Sequence, residues 1–226
     1  MPLGGRTVIY NVRAITLWSR RSREADKVVG LFTREMGRVT ARATGAARSI
    51  AKFAALTEPF VESEIALYLV PGRGWGKIVG GKLISSFPPL RTQVALCTSA
   101  SWICEVVHRL TPEEQESPEK FYLLQETLTA LSSANGMGMI RLAFAVRFLA
   151  IAGFGLENRE PWAALVQEHP EWAKGLVETP LAELGQEEWR HPAITAVEHL
   201  AGSVVTDHLN RPLQVNRFRH MVGIEI

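Results

Sequence analysis

The stretch 38-RVTARATGAARSIAKF-53 carries four basic side chains and no acid. Read as a strand, its first half points Arg38, Thr40, Arg42 and Thr44 to one face and Val39, Ala41 and Ala43 to the other, because side chains alternate along an extended chain. A face given over to arginine asks for something anionic, since a merely solvated face is served as well by mixed charge.

Neighbouring segments supply the partner strands. TVIYNVRAITLW (7–18) and KVVGLFT (27–33) are rich in β-branched and aromatic residues and flank the charged turn SRRSREAD. PFVESEIALYLV (59–70) sets Glu62 and Glu64 against Val61 and Ile65, and the glycine-rich PGRGWGKIVGG (71–81) leads into KLISSF. About five strands in the first eighty or so residues is the count of a Greek-key barrel such as the OB-fold.

After Phe87-Pro88-Pro89 the period changes to that of helices. LRTQVALCTSASWICEVVHRL (90–110) is one helical stretch. SPEKFYLLQETLTALSSA (117–134) begins with Ser117 at the N-cap, Pro118 at the first helical position and Lys120 three residues after the cap. Residues 138–152 are apolar nearly all round and predict a helix enclosed by the others, despite Arg141 and Arg147. The segment 153–190, punctuated by Gly153, Gly155, Pro161, Pro170, Gly175, Pro180 and Gly185, reads as loop-like. Helical spacing resumes in 193–209, with Ile194, Val197, Leu200, Val204 and His208 on one stripe. The expected fold class is α+β: an OB-fold barrel over 1–87, then an α-helical domain over 88–226 with a cysteine-free insert at about 153–190.

The chain has 226 residues, 46% of them hydrophobic, enough to fill one large or two small cores. No segment shows the order of a signal peptide, and the longest apolar run is broken by two arginines, so a protein without membrane spans is expected. Cys97 and Cys104 are spaced two helical turns apart, too far for an easy disulfide, and a reducing cytoplasm fits them best. The net charge of +2 conceals an imbalance: residues 1–91 hold 15 Lys+Arg against 6 Asp+Glu, or +9, and residues 92–226 hold 10 against 17, or −7. A polyanion on the front half accounts for that asymmetry, with solvated surface charge as the bland alternative.

Catalytic readings find little to stand on. Cys104 and His108 share a helix face as a nucleophile and base would, but neither an oxyanion loop nor a third partner accompanies them. His191, His199 and His208 lack i, i+4 pairing, so no metal or cofactor is expected there. GRGWGK lacks the spacing of a phosphate loop and reads as a hairpin, and Glu24 with Asp26 reads as a solvated turn. The basic face remains. Arg34, Arg38, Arg42, Arg48 and Lys52 fall within nineteen residues, and Arg20, Arg21, Arg23 and Lys27 lie in the preceding loop. Repeated cationic donors suit phosphate oxygens along a backbone. Stacking partners are limited to Tyr10, Phe32, Phe53 and Trp75.

The order of EAD (24–26), LFTREMGRVTARATGA (31–46), KFAALTEPF (52–60), KLISSFPPLR (82–91), FYLLQETLTAL (121–131) and HLNRPLQVNRF (208–218) resembles the RecO family of bacterial recombinational repair proteins. The resemblance implies an N-terminal OB-fold followed by helices. It also implies binding of single- and double-stranded DNA, annealing of complementary strands, and a mediator role with RecR that helps RecA replace single-stranded DNA-binding protein, without covalent chemistry or cofactor. A cytoplasmic, nucleoid-associated protein is implied as well. A basic-rimmed apolar groove for the acidic tail of single-stranded DNA-binding protein would draw on Arg141, Arg147, Arg211 and Arg217. Two departures stand out. Many relatives carry a four-cysteine zinc ribbon where this chain has no cysteine, so structural zinc is expected to be lost and the segment held by Trp162, Leu165, Trp172 and Leu176 instead. Ala51 stands where the family often has serine before the basic residue, here Lys52. The rival expectation is a protein adaptor whose basic barrel meets an acidic protein rather than DNA.

Overall fold

Residues Gly37–Ala43 alternate strictly between buried and half-buried positions, with Val39, Ala41 and Ala43 inside and Arg38, Thr40 and Arg42 outside. This strand is the third of five in a computed structural model that describes residues 8–22, 25–47, 53–69, 75–133, 136–156, 159–184, 194–209 and 213. The five are β1 (Val8–Ser22), β2 (Asp26–Thr33), β3 (Gly37–Ala43), β4 (Glu62–Leu69) and β5 (Gly76–Ser85). They close into a barrel in the order β1-β2-β3-β5-β4, every pairing antiparallel except β3 with β5. That five-stranded closed barrel is the OB-fold.

Its interior mixes Ala14, Ala41, Ala43 and Ala46 with Val12, Val29, Leu31, Val39, Ile65, Leu67 and Ile78. A five-stranded barrel is narrow, so large side chains fit only where a facing position is small. Among the described residues β3 meets β5 through Ala41 and Arg42, and at Arg38 the strand bridges instead to Glu113.

The helical elements are α1 (Pro89–Thr92), α2 (Val94–Leu110), α3 (Pro118–Ser133), α4 (Met137–Ile151), α5 (Trp162–Glu168), α6 (Pro170–Glu178), α7 (Leu181–Leu184) and α8 (Ile194–Leu209). In α3 the Phe121 N–H donates to the Ser117 carbonyl at 3.1 Å, which makes Ser117 the cap and Pro118 the first helical residue. Met139 through Val146 of α4 are all buried, as an all-round apolar helix requires. Trp102 meets Phe144 edge-on at 6.4 Å, and Phe144 stacks with Phe148 at 5.3 Å.

Two expectations need correction. The 153–190 segment is not loop-like: α5, α6 and α7 occupy most of its described part, and Trp162, Leu165, Leu176, Leu181 and Leu184 are buried. Pro170 starts a helix rather than interrupting one, and Trp172 is only half-buried. On α8 the buried stripe is Val197, Ala201, Val204 and Val205, while Leu200 is half-buried and the side chains of Ile194 and His208 lie outside the described residues.

The chain divides into two compact units. One joins Met1–Phe87 to Thr111–Phe121, and the other joins Pro88–Leu110 to Tyr122–Ile226. A single cut near Pro88 assigns residues 111–121 to the helices, yet they group with the barrel. Glu113 bridges to Arg38 alongside β3, the Glu114 N–H donates to the Arg38 carbonyl at 3.1 Å, and Phe121 packs on Phe32 at 6.1 Å.

Candidate nucleic-acid interface

Strand register decides which cations meet. Arg20 of β1 lies opposite Val28 of β2, Val28 opposite Arg42 of β3, and Arg42 opposite Lys77 of β5. Cross-strand partners share a face, so Arg20, Arg42 and Lys77 form a row running across four strands on the outside of the barrel. With strands about 4.8 Å apart, the row spans about 14 Å.

Two of the three cations are backed by tryptophan. The Arg20 guanidinium lies over Trp18 at 5.7 Å from the ring centre, and that of Arg42 lies over Trp75 at 5.4 Å. Trp18 has room because the residue beneath it is Gly30: a Cβ there would come within 2.1 Å of the indole nitrogen. Trp75 is 43% exposed, and Arg20, Arg21 and Lys77 are exposed. Among the described residues none of Arg20, Arg21, Arg42 and Lys77 forms an ion pair with a carboxylate. The Nε of Arg42 is buried and finds no hydrogen-bond acceptor among those residues, an unusual state for a buried donor.

The other anticipated cations are placed differently. Lys27 pairs with Glu58 at 2.7 Å, Arg34 with Glu35 at 2.7 Å, and Arg38 with Glu113 at 3.5 Å. Phe32 is fully buried against Phe121 and is no stacking platform, and Phe53 packs on the barrel core. Tyr10 remains 40% exposed. Asp26 is not merely a solvated turn residue, since its carboxylate accepts the Gly45 N–H at 2.9 Å and so ties the start of β2 to the end of β3. Arg23, Arg48 and Lys52 lie outside the described residues, as do Glu24 and Ala51. Sequence reasoning missed Trp18 and Lys77; the alternation of β1 points Trp18 to the Arg20 side, but only register brings Lys77 beside Arg42.

In the helical unit, Arg141 is 7% exposed and donates through Nη2 to Glu198 at 2.7 Å, joining α4 to α8. Arg147 donates to the carbonyl oxygens of Leu176, at 2.9 Å, and Thr179. Burial lowers its pKa, and the charge of Glu126 works the other way. Both guanidinium groups thus make contacts within the helical unit, and Arg211 and Arg217 lie outside the described residues. Cys104 is fully buried, and burial pushes its thiol up, so it is packing rather than a nucleophile. Among the described residues there is no group of three or more His, Cys, Asp or Glu poised for a metal, and no helix is long and apolar enough to cross a membrane.

The five-stranded barrel places the first unit in the OB-fold class, and helices make up the second. Residues 8–87 match the family described as Recombination protein O N terminal, and residues 91–160 match Recombination protein O C terminal. Proteins named DNA repair protein RecO are similar over this region. That of Symbiobacterium thermophilum is 33% identical over 147 residues, 65% of this chain and 57% of its own length. That of Myxococcus xanthus is 34% identical over 145 residues, 64% of this chain and 59% of its own, and that of Dehalococcoides mccartyi 28% over 151 residues, 67% and 59%. The chain belongs to the RecO family. The matches span less than three-fifths of the length of these curated relatives.

Proposed function

We propose that this protein binds single- and double-stranded DNA on the outer face of its barrel and works in recombinational DNA repair, annealing complementary strands. The row of Arg20, Arg42 and Lys77, with Arg42 stacked on Trp75, carries this reading. A row across the strands gives phosphates three cations, and the exposed Trp75 offers a flat face for an unstacked base. Cations that neutralise phosphates on two strands at once lower their mutual repulsion, so that pairing can nucleate. The same reading extends to a mediator role, in which the protein acts with RecR and single-stranded DNA-binding protein to help RecA onto DNA, in the cytoplasm and at the nucleoid. Family membership supports that extension; no covalent step belongs to it.

The test is the annealing rate of two complementary dye-labelled strands, for the wild type and for R20A/R42A/K77A, at low and moderate salt. Acceleration that fades with salt and is lost in the triple variant supports the reading. Equal acceleration by the two proteins removes the row from the site. No acceleration by folded wild type favours an adaptor whose barrel meets an acidic protein.

A further inference from the structure

The outer face of β3 is not uniform. Arg42 sits toward its C-terminal end beside Trp75, whereas Arg38, four residues away, lies under residues 111–117, TPEEQES, which hold three acids and no base. Backbone contacts fasten this turn. The Glu114 N–H donates to the Arg38 carbonyl, and Gly37 lets the chain in so closely that a Cβ would sit 1.9 Å from the Gln115 oxygen. The Glu113 carboxylate is therefore delivered to the Arg38 guanidinium by main-chain docking, at 3.5 Å, with Arg38 left 19% exposed and Glu113 51% exposed.

We infer that Glu113 is an intramolecular competitor for phosphate at Arg38, one that ends the DNA track and limits how many phosphates the barrel engages. The inference rests on the DNA-binding reading above. A carboxylate presents the same planar oxygen pair to arginine as a phosphate does, and here it is tethered, so it need not be drawn from solution. The three acids also repel a phosphate approaching that end. Four residues of strand place Arg42 about 13 Å from Arg38. That exceeds the Debye length of about 8 Å at physiological salt, so the acidic turn silences Arg38 while leaving the open row its attraction.

The experiment compares wild type, R38A, E113Q, the double variant R38A/E113Q, and R42A for binding to a single-stranded oligonucleotide across a salt series. Glu113→Gln keeps the main-chain docking, since neither the Glu114 N–H nor Gly37 depends on the carboxylate. E113Q is expected to bind roughly two- to fivefold tighter at about 0.15 M salt, the scale of one surface ion pair, with a salt slope steeper by about 0.7, one added phosphate contact on a single strand. R38A alone is expected to match wild type, and R38A/E113Q to lose the gain, which assigns it to this pair. An unchanged slope in E113Q, or a slope flattened by R38A as much as by R42A, overturns the inference and leaves the DNA face intact. If R42A binds as wild type does, the DNA face itself falls, and the competitor with it.

Discussion

The guanidinium carbon of Arg42 stands 5.4 Å from the centre of the Trp75 ring, one cation and one exposed aromatic plate joined on a single face. A base stacking on such a plate gains about 1–3 kcal/mol. Trp75→Ala is expected to weaken single-strand binding roughly 5- to 160-fold and duplex binding far less, because duplex bases are already stacked. Titration of both DNA forms by fluorescence anisotropy checks this. Equal losses on the two would make Trp75 a support for Arg42 alone.

Gly37 has φ +69°, and a Cβ there would lie 1.9 Å from the Gln115 carbonyl oxygen, a backbone atom that cannot swing aside. Gly37→Ala should cost about 2 kcal/mol or more, from left-handed backbone strain and from displacement of residues 111–117. For a chain of this size that is a fall in Tm of roughly 4–8 °C. A thermal melt with a wild-type Tm would mean that the turn yields freely.

Arg147 gathers the last carbonyls of α6, and the Glu126 carboxylate accepts the Leu181 N–H at the start of α7 at 2.9 Å. Arg147→Ala leaves those carbonyls without their charged donor and should cost roughly 2–3 kcal/mol. Faster hydrogen exchange is expected over 162–184, with DNA affinity unchanged. A loss of affinity instead would give Arg147 a role outside the helical unit.

Cys104 is fully buried, and its thiol is held protonated well above the usual range by loss of hydration. Above about pH 8.5 the unfolded thiol gives up a proton that the folded one keeps. Stability tied to this group is thus complete below that pH and falls as pH rises beyond it, by about 1.4 kcal/mol per unit. Native protein at pH 8 should react with iodoacetamide at Cys97, which is half-buried, and not at Cys104. Mass spectrometry of native and urea-unfolded samples distinguishes one label from two.

Local patterns carried much of the fold. The alternation from Arg38 to Ala43 survives in the barrel because period two is a property of the extended backbone itself, and the all-round apolar run in α4 is enclosed because no face of it can meet water. The helices between Trp162 and Leu184 escaped notice for a physical reason as well. They are short, and Pro161 and Pro170, with the glycines around them, fit a helix start as well as a loop.

The sequence by itself determined a five-stranded barrel with a basic face followed by helices, since side-chain period and strand composition are local. It could not rank its arginines. Arg38 and Arg42 are equivalent in the pattern, and only the return of residues 111–121 sets Glu113 on the first while strand register sets Lys77 and Trp75 beside the second. Charge acts through space, and which charges are near is decided by pairing and packing between segments distant along the chain.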